Sequence, residues 1–283
     1  MDAVSPERKL RMLQTAEAKC GGMPLIEACK EIFRLKIPAS GLLGWSPRLR
    51  SQFGYYTPDE WYEAALFCLI DEKTDWLDVG CGWQLFPSNR RLADVLSSRC
   101  RSLTGIDPDE SIRRNKWVHE FIQRRLEEVD TDRRFDLISL RMVAEHIADP
   151  EAAVAKLREL TRDGGRVVIY TPSKWAPVSL IAAATPMSFH HAAKRVLQGI
   201  APEDVFPTVY KMNTRKALNR IFGSHGFVEE SFLYLNDCRA LAAWRVTSLL
   251  ELSCERVLRA IGLPYPENCL LGVYRKNDAG SFD

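Results

Sequence analysis

The stretch Trp76-Leu77-Asp78-Val79-Gly80-Cys81-Gly82-Trp83-Gln84 constrains what this chain can fold into more than any other. A short apolar run breaks into a glycine turn, which reads as a buried strand ending in a loop. Gly80 and Gly82 carry no Cβ, so the backbone there can approach a nucleoside-bearing ligand closely. Alternation continues down the chain. Strands are expected over 75–79, 102–106, 118–122, 135–140 and 166–170, separated by helices over 88–99, 109–116 and 150–161. Such repetition predicts parallel pairing with right-handed crossovers. A helix capped by Asn213-Thr214 and ending near 225, a strand over 227–235, a helix over about 238–261 and a strand over 269–274 complete the pattern.

Upstream, apolar periodicity predicts helices over 6–19 and 24–36, and Thr57-Pro58-Asp59-Glu60 predicts the start of a helix reaching about residue 70. The 283 residues are expected to form a single domain. Its parts are a helical N-terminal extension over 1–60, a core over 61–170 and 213–276, and a substrate-side insertion over 171–212. Hydrophobic content of 46% with 27% charged residues is that of a folded protein and excludes a disordered chain. Net charge is +2, and Arg90-Arg91, Arg113-Arg114, Arg124-Arg125 and Arg133-Arg134 read as solvated helix faces before they read as a nucleic-acid surface. The eight cysteines form no Cys-x-x-Cys pair and no zinc-finger spacing, so free thiols and no metal site are expected. The polar start lacks the apolar stretch of a signal peptide, which favours a cytoplasmic protein. Residues 175–193 carry no formal charge, but their apolar part, 176–187, is too short to span a bilayer. A cover over a pocket, with peripheral membrane contact as a further role, is the expectation there.

The opening run resembles the first motif of class I S-adenosylmethionine (SAM)-dependent methyltransferases, with Gln84 where a third glycine is usual. That family ends its first strand on an acidic residue, here Asp78, and follows it with a Gly-x-Gly-x-Gly loop. Thr104-Gly105-Ile106-Asp107-Pro108 adds a carboxylate at the end of the second strand, where it can accept from ribose hydroxyls. Phe135-Asp136-Leu137-Ile138-Ser139-Leu140, followed by Arg141 to Pro150 with Glu145-His146, is similar to small-molecule methyltransferases, including those of quinone biosynthesis. The resemblance implies an α/β fold: a seven-stranded, mostly parallel sheet with helices on both faces, the last strand antiparallel between the fifth and sixth. It implies SAM as cofactor, held by Asp78, Gly80, Cys81, Gly82, Trp83, Asp107 and Pro108, with backbone groups of Leu140 and Arg141 near the methionine end. Tyr55 and Tyr56 either cover the cofactor or anchor the helix that begins near 58. NAD is the competing ligand, and Gln84-Leu85-Phe86-Pro87 is bulky for a pyrophosphate cradle. The family's adenine-binding aspartate has no counterpart in Gln123-Arg124-Arg125-Leu126-Glu127-Glu128.

On the reaction side, His146 is the candidate base, against a packing role, and Glu145 either orients it or starts a helix. Trp175, His190, His191 and Tyr210 are the candidate acceptor-binding residues. The expected function is methyl transfer from SAM to a small, partly apolar molecule, with oxygen favoured. Transfer to nitrogen, carbon, RNA or protein is the alternative within the enzyme class, and a non-catalytic SAM-binding protein the alternative outside it.

Overall fold

Seven strands form one sheet in the computed structural model, which describes residues 19–36, 47–176, 208–239, 244–263 and 265–277. In chain order they are β1 (Asp75–Val79), β2 (Ser102–Ile106), β3 (Glu120–Ile122), β4 (Phe135–Arg141), β5 (Thr161–Pro172), β6 (Phe227–Asn236) and β7 (Glu267–Lys276). Across the sheet the order is β3-β2-β1-β4-β5-β7-β6, with β7 antiparallel to both neighbours and the other pairs parallel. This is the class I arrangement. A separate small ladder pairs Lys19–Cys20 with Met23–Pro24, which the sequence reading did not anticipate.

Successive side chains of a strand point to opposite faces, and the inner strands are apolar on both. Trp76, Leu103, Leu137 and Val168 therefore share a core with α1 (Leu25–Lys36), α3 (Pro58–Leu69) and α4 (Arg90–Arg99). Their neighbours Leu77, Ile138 and Val167 pack on the other face against α5 (Pro150–Leu160) and α6 (Arg215–Ser224). Between α1 and α3 lies α2 (Pro47–Gln52), and α7 (Arg245–Ala260) precedes β7.

The start of α3 is fixed by a capping box: Glu60 N donates to Thr57 Oγ1 at 3.3 Å and Thr57 N to Glu60 Oε2 at 2.7 Å. The same fully buried Glu60 accepts two bonds from Arg50 of α2, at 2.8 and 3.0 Å, and one from Lys36 of α1 at 3.3 Å. One carboxylate thus ties three helices together at the end of α3 that faces the candidate site.

Three expected elements differ most. The helix over 109–116 is a single 3₁₀ turn, Glu110–Arg114, because Asp109 caps it at Ser111 N and Asn115 leaves it to bond the loop after β1. The helix expected from 238 begins at Arg245, because β6 runs on to Asn236 and the chain turns at 238–239. β5 is longer than expected, reaching Thr161 at one end and Pro172 at the other. The expected helix over 6–19 (apart from Lys19), Trp45, the stretch 177–187 and the insertion helix near 190–198 with His190 and His191 lie outside the described residues.

Candidate active site

The strand order reverses between β1 and β4, and a crevice at the carboxyl ends of the strands flanking such a point is where open α/β sheets bind ligands. Four strands deliver residues there: β1 at Gly80, β2 at Asp107, β4 at Arg141 and β5 at Pro172.

Gly80 and Gly82 do different jobs. Both have positive φ, +71° and +47°. A Cβ on Gly80 would lie 2.2 Å from Val143 Cγ2, so this glycine is needed for packing inside the chain. A Cβ on Gly82 would meet nothing within 4 Å, and here the backbone does face open space. The turn is pinned by Gly80 N to Ile106 O at 2.7 Å and by Gly82 N to Asp107 Oδ2 at 2.9 Å. From the other side Asn115 Nδ2 donates to Gly82 O at 3.0 Å. Cys81 is buried against Gly105 and its burial pushes the thiol pKa far up, so it acts as an inert apolar group. Trp83 is half exposed beside the loop, with the Arg114 guanidinium 5.9 Å from its ring centre. Replacing Gly80 by Ala should cost about 3 kcal/mol in a urea unfolding titration, from the left-handed backbone and the overlap with Val143 together. Adding Val143→Ala should recover the overlap part alone; no recovery would assign the cost to the backbone.

Asp107 is nearly buried and holds two backbone donors, Gly82 N on Oδ2 and Asp109 N on Oδ1, each at 2.9 Å. Each oxygen keeps acceptor capacity for a further partner. Asp78 is buried deeper. Its Oδ1 accepts from Ser139 Oγ at 2.6 Å, and Ser139 Oγ accepts from Trp76 Nε1 at 2.7 Å. Burial pushes the Asp78 pKa up to about 7, against the Ser139 hydrogen bond and Arg141, which pull it down, while Asp107 adds to the rise. A folded pKa raised above 3.8 means the folded state holds the proton more tightly, so this stabilisation is full below about pH 4 and is lost as pH rises through 7. The loss is at most about 4 kcal/mol. Asp78→Asn keeps an acceptor for Ser139 and removes the charge, so its melting-temperature gain over wild type should grow between pH 5 and pH 8. A gain that does not change with pH would show that Asp78 does not titrate there.

On the β4 side, Arg141 turns its guanidinium to Asp59 of α3 at 2.8 Å, and Asp59 also meets Arg239 at 3.5 Å. Next to it Met142 has φ of 54°, a left-handed backbone in a residue that rarely adopts it, and its N–H donates to Tyr170 O at 2.8 Å. Strain of this kind gathers at functional sites. Leu140 is buried in the sheet and Pro108 lies just outside the Asp107 turn.

Glu145 is buried and wired. Its Oε2 accepts from Thr171 Oγ1 at 2.8 Å, Thr171 accepts from Asn213 Nδ2 at 2.8 Å, and Asn213 also donates to Pro172 O. The Glu145 carbonyl accepts from Val209 N at 2.8 Å and Tyr210 N at 3.3 Å, and Tyr210 itself has φ of 49°. Burial raises the Glu145 pKa, against hydrogen bonds from its own backbone and Thr171 and the pull of His146 and Arg141. His146 keeps its ring part exposed, with Nε2 4.0 Å from Glu145 Oε1. Asn213 was expected to help cap α6; Thr214 alone does so, and Asn213 belongs to this network. Trp175 stands well exposed just past β5.

Tyr55 is an anchor. Its hydroxyl donates to Asn236 O at 3.1 Å and accepts from Cys238 N at 2.9 Å, at the far end of the sheet edge. Tyr56 packs edge-on against Phe33 and Trp61 in the α1–α3 core. Of the two roles left open by the sequence, the structure places both rings in the anchoring one.

Residues 53–231 match the protein family described as "Methyltransferase domain". The chain belongs to this methyltransferase family. It is similar to a ubiquinone biosynthesis O-methyltransferase of Alkalilimnicola ehrlichii, 32% identical over 105 residues. That match covers 34% of this chain and 40% of that protein, so it spans less than half of the curated relative. Among solved structures, the chain is similar to the N-methyltransferase NodS of Bradyrhizobium japonicum in complex with S-adenosyl-L-homocysteine, at 15% identity and a TM-score of 0.47 over 89% of this chain and 99% of that one. A SAM-dependent methyltransferase of Mesorhizobium loti is similar at 18% identity and a TM-score of 0.49, over 77% of this chain and 98% of that one.

SAM is the cofactor of this class, and the residues present fit it. Gly82 leaves backbone facing open space, Asp107 keeps an acceptor on each oxygen for vicinal hydroxyls, and the exposed indole of Trp83 offers a flat face nearby. A loop of ten residues separates β1 from α4, so no helix N-terminus follows the glycines as a pyrophosphate cradle requires. Gln123 gives no substitute for an adenine-binding aspartate, since its side chain accepts from Arg113 at 3.0 Å. Among the described residues no group of His, Cys, Asp and Glu could hold a metal ion, and no helix is long and apolar enough to cross a membrane.

Proposed function

We infer that this chain transfers a methyl group from SAM to an oxygen of a small, partly apolar acceptor. The observation that carries this reading is the Glu145–His146 pair, set on the strand edge that holds the Asp107 carboxylate and the open Gly82 backbone. When bound, SAM supplies a methyl carbon already activated by its sulfonium, so the protein's work is alignment, exclusion of water and removal of a proton.

Asp107 holds the ribose hydroxyls, Gly82 lets the nucleoside lie against backbone, and Trp83 covers it. Asp78 and the Asp59–Arg141 pair fix the charge around the methionine end. The imidazole of His146 takes the acceptor's hydroxyl proton. Glu145, anchored through Thr171 and Asn213, stabilises the cation that forms. Trp175 and Tyr210 belong to the acceptor side; His190 and His191, the other residues expected there, lie outside the described residues. The resemblance to a ubiquinone biosynthesis O-methyltransferase supports oxygen as the accepting atom. The free thiols of all eight cysteines support a reducing, cytoplasmic setting.

Incubation with methyl-labelled SAM and fractionated cell extract tests this reading. A labelled small molecule carrying an O-methyl group is the expected product. Label in RNA or protein, or on nitrogen or carbon, would overturn it.

A further inference from the structure

A cavity of about 310 Å³ opens on the same carboxyl side of the sheet as the candidate site but laterally beyond β5, where β6 ends and β7 begins. This volume lies at the lower end of the range for small-ligand sites. β7 and β6 lie three and four strands from β1, roughly 14–19 Å at ordinary strand spacing, so the cavity is separate from the Gly80–Gly82 loop. Five of its lining residues are aromatic: Tyr55, Tyr56, Trp61, Tyr234 and Tyr265. Their positions are set. Tyr55 is held by Asn236 and Cys238, Tyr56 and Trp61 stack edge to face, and Tyr265 donates to Glu251 Oε1 at 2.8 Å.

Glu255, 3% exposed, also lines the cavity, as do Asn236 and Arg259. Its Oε1 accepts from Asn236 Nδ2 at 3.2 Å, but its buried Oε2 has no hydrogen-bond donor among the described residues. Arg259 approaches to 3.7 Å, beyond hydrogen-bond reach, and directs its own donors to Phe53 O and Gly54 O. One turn earlier on α7, Glu251 is buried to the same extent. An ordinary amphipathic helix turns apolar residues inward; α7 turns in Ser248, Glu251, Leu252 and Glu255. A buried carboxylate oxygen that lacks a donor calls for a partner, and rings that enclose it present negative faces to a cation.

We propose that this cavity binds a small organic cation with an apolar or aromatic body, its ammonium donating to Glu255 Oε2 and its body enclosed by the five rings. The proposal concerns binding alone, and its test does not require that the chain methylate anything.

Calorimetric titration of the full chain with phenethylammonium, phenethyl alcohol and 3-phenylpropionate compares a cation, a neutral molecule and an anion of similar shape. Saturable one-to-one binding of the cation is expected, with the other two at least tenfold weaker. Absence of saturable cation binding, or equal binding of the alcohol, would overturn the proposal, and both are read on the wild-type chain. Glu255→Gln should weaken phenethylammonium at least tenfold while SAM affinity and the circular dichroism spectrum stay unchanged. An unaltered phenethylammonium affinity in that variant would remove Glu255 from the site and refute the assignment.

Discussion

Replacing Asp107 by Ala should lower SAM affinity about 10²–10⁴-fold in a calorimetric titration. Hydrogen bonds to a charged acceptor contribute about 1.5–3 kcal/mol each, and two ribose hydroxyls make two of them. Their sum, about 3–6 kcal/mol, corresponds to that loss at roughly 1.4 kcal/mol per tenfold. The alanine also releases the two backbone donors that the carboxylate now holds, Gly82 N and Asp109 N, so the glycine loop loses its clamp. Asp107→Asn separates the two effects, because its amide keeps one acceptor oxygen for the loop while losing the charge and the other acceptor. It should bind SAM more weakly than wild type and more tightly than the alanine variant. Unchanged affinity in Asp107→Ala would take this residue out of the cofactor site, and tight NAD binding without SAM binding would refute the cofactor itself.

What could be seen in the sequence was local and periodic. The strands 75–79 and 102–106 were read to the residue because short segments carrying Trp76, Leu77 and Val79, and Leu103 and Ile106, end abruptly at Gly80 and at Asp107-Pro108. The sheet order came through the resemblance, since β7 slots between β5 and β6 by pairings 31 to 109 residues apart that no window of sequence contains. The acidic positions Asp78 and Asp107 were visible at strand ends, but their unequal roles were not. One is sealed beneath α3 by Ser139 and Trp76, the other faces the loop, and burial alone separates them. The site roles of Asn115, Thr171 and Asn213 went unnoticed because each acts through contacts to a segment 26 to 42 residues away. Asn115 offered no local signal beyond ending a short turn, and Asn213 was masked by the capping threonine beside it. Gly80 was singled out for close approach of a ligand, whereas the Val143 methyl that forbids a Cβ there could be seen only in the folded chain.

His146→Ala should lower turnover about 10²–10⁴-fold, the usual contribution of a positioned base, while SAM affinity stays within about twofold of wild type. The ring is part exposed and does not fill the core, so its removal leaves the β4–α5 connection in place. That connection rests on Glu145, whose carboxylate takes Thr171 and whose carbonyl takes Val209 and Tyr210. Glu145→Gln keeps the carbonyl and an amide oxygen for Thr171, and removes only the charge 4.0 Å from His146 Nε2. If Glu145 stabilises the imidazolium, this variant should lose turnover without losing SAM affinity. If Glu145 serves packing alone, turnover should match wild type. The two variants together also separate chemistry from architecture: a base and its partner act as a unit, so the double variant should be little slower than His146→Ala by itself. Full turnover in His146→Ala would return the histidine to a packing role and leave the acceptor's proton to solvent.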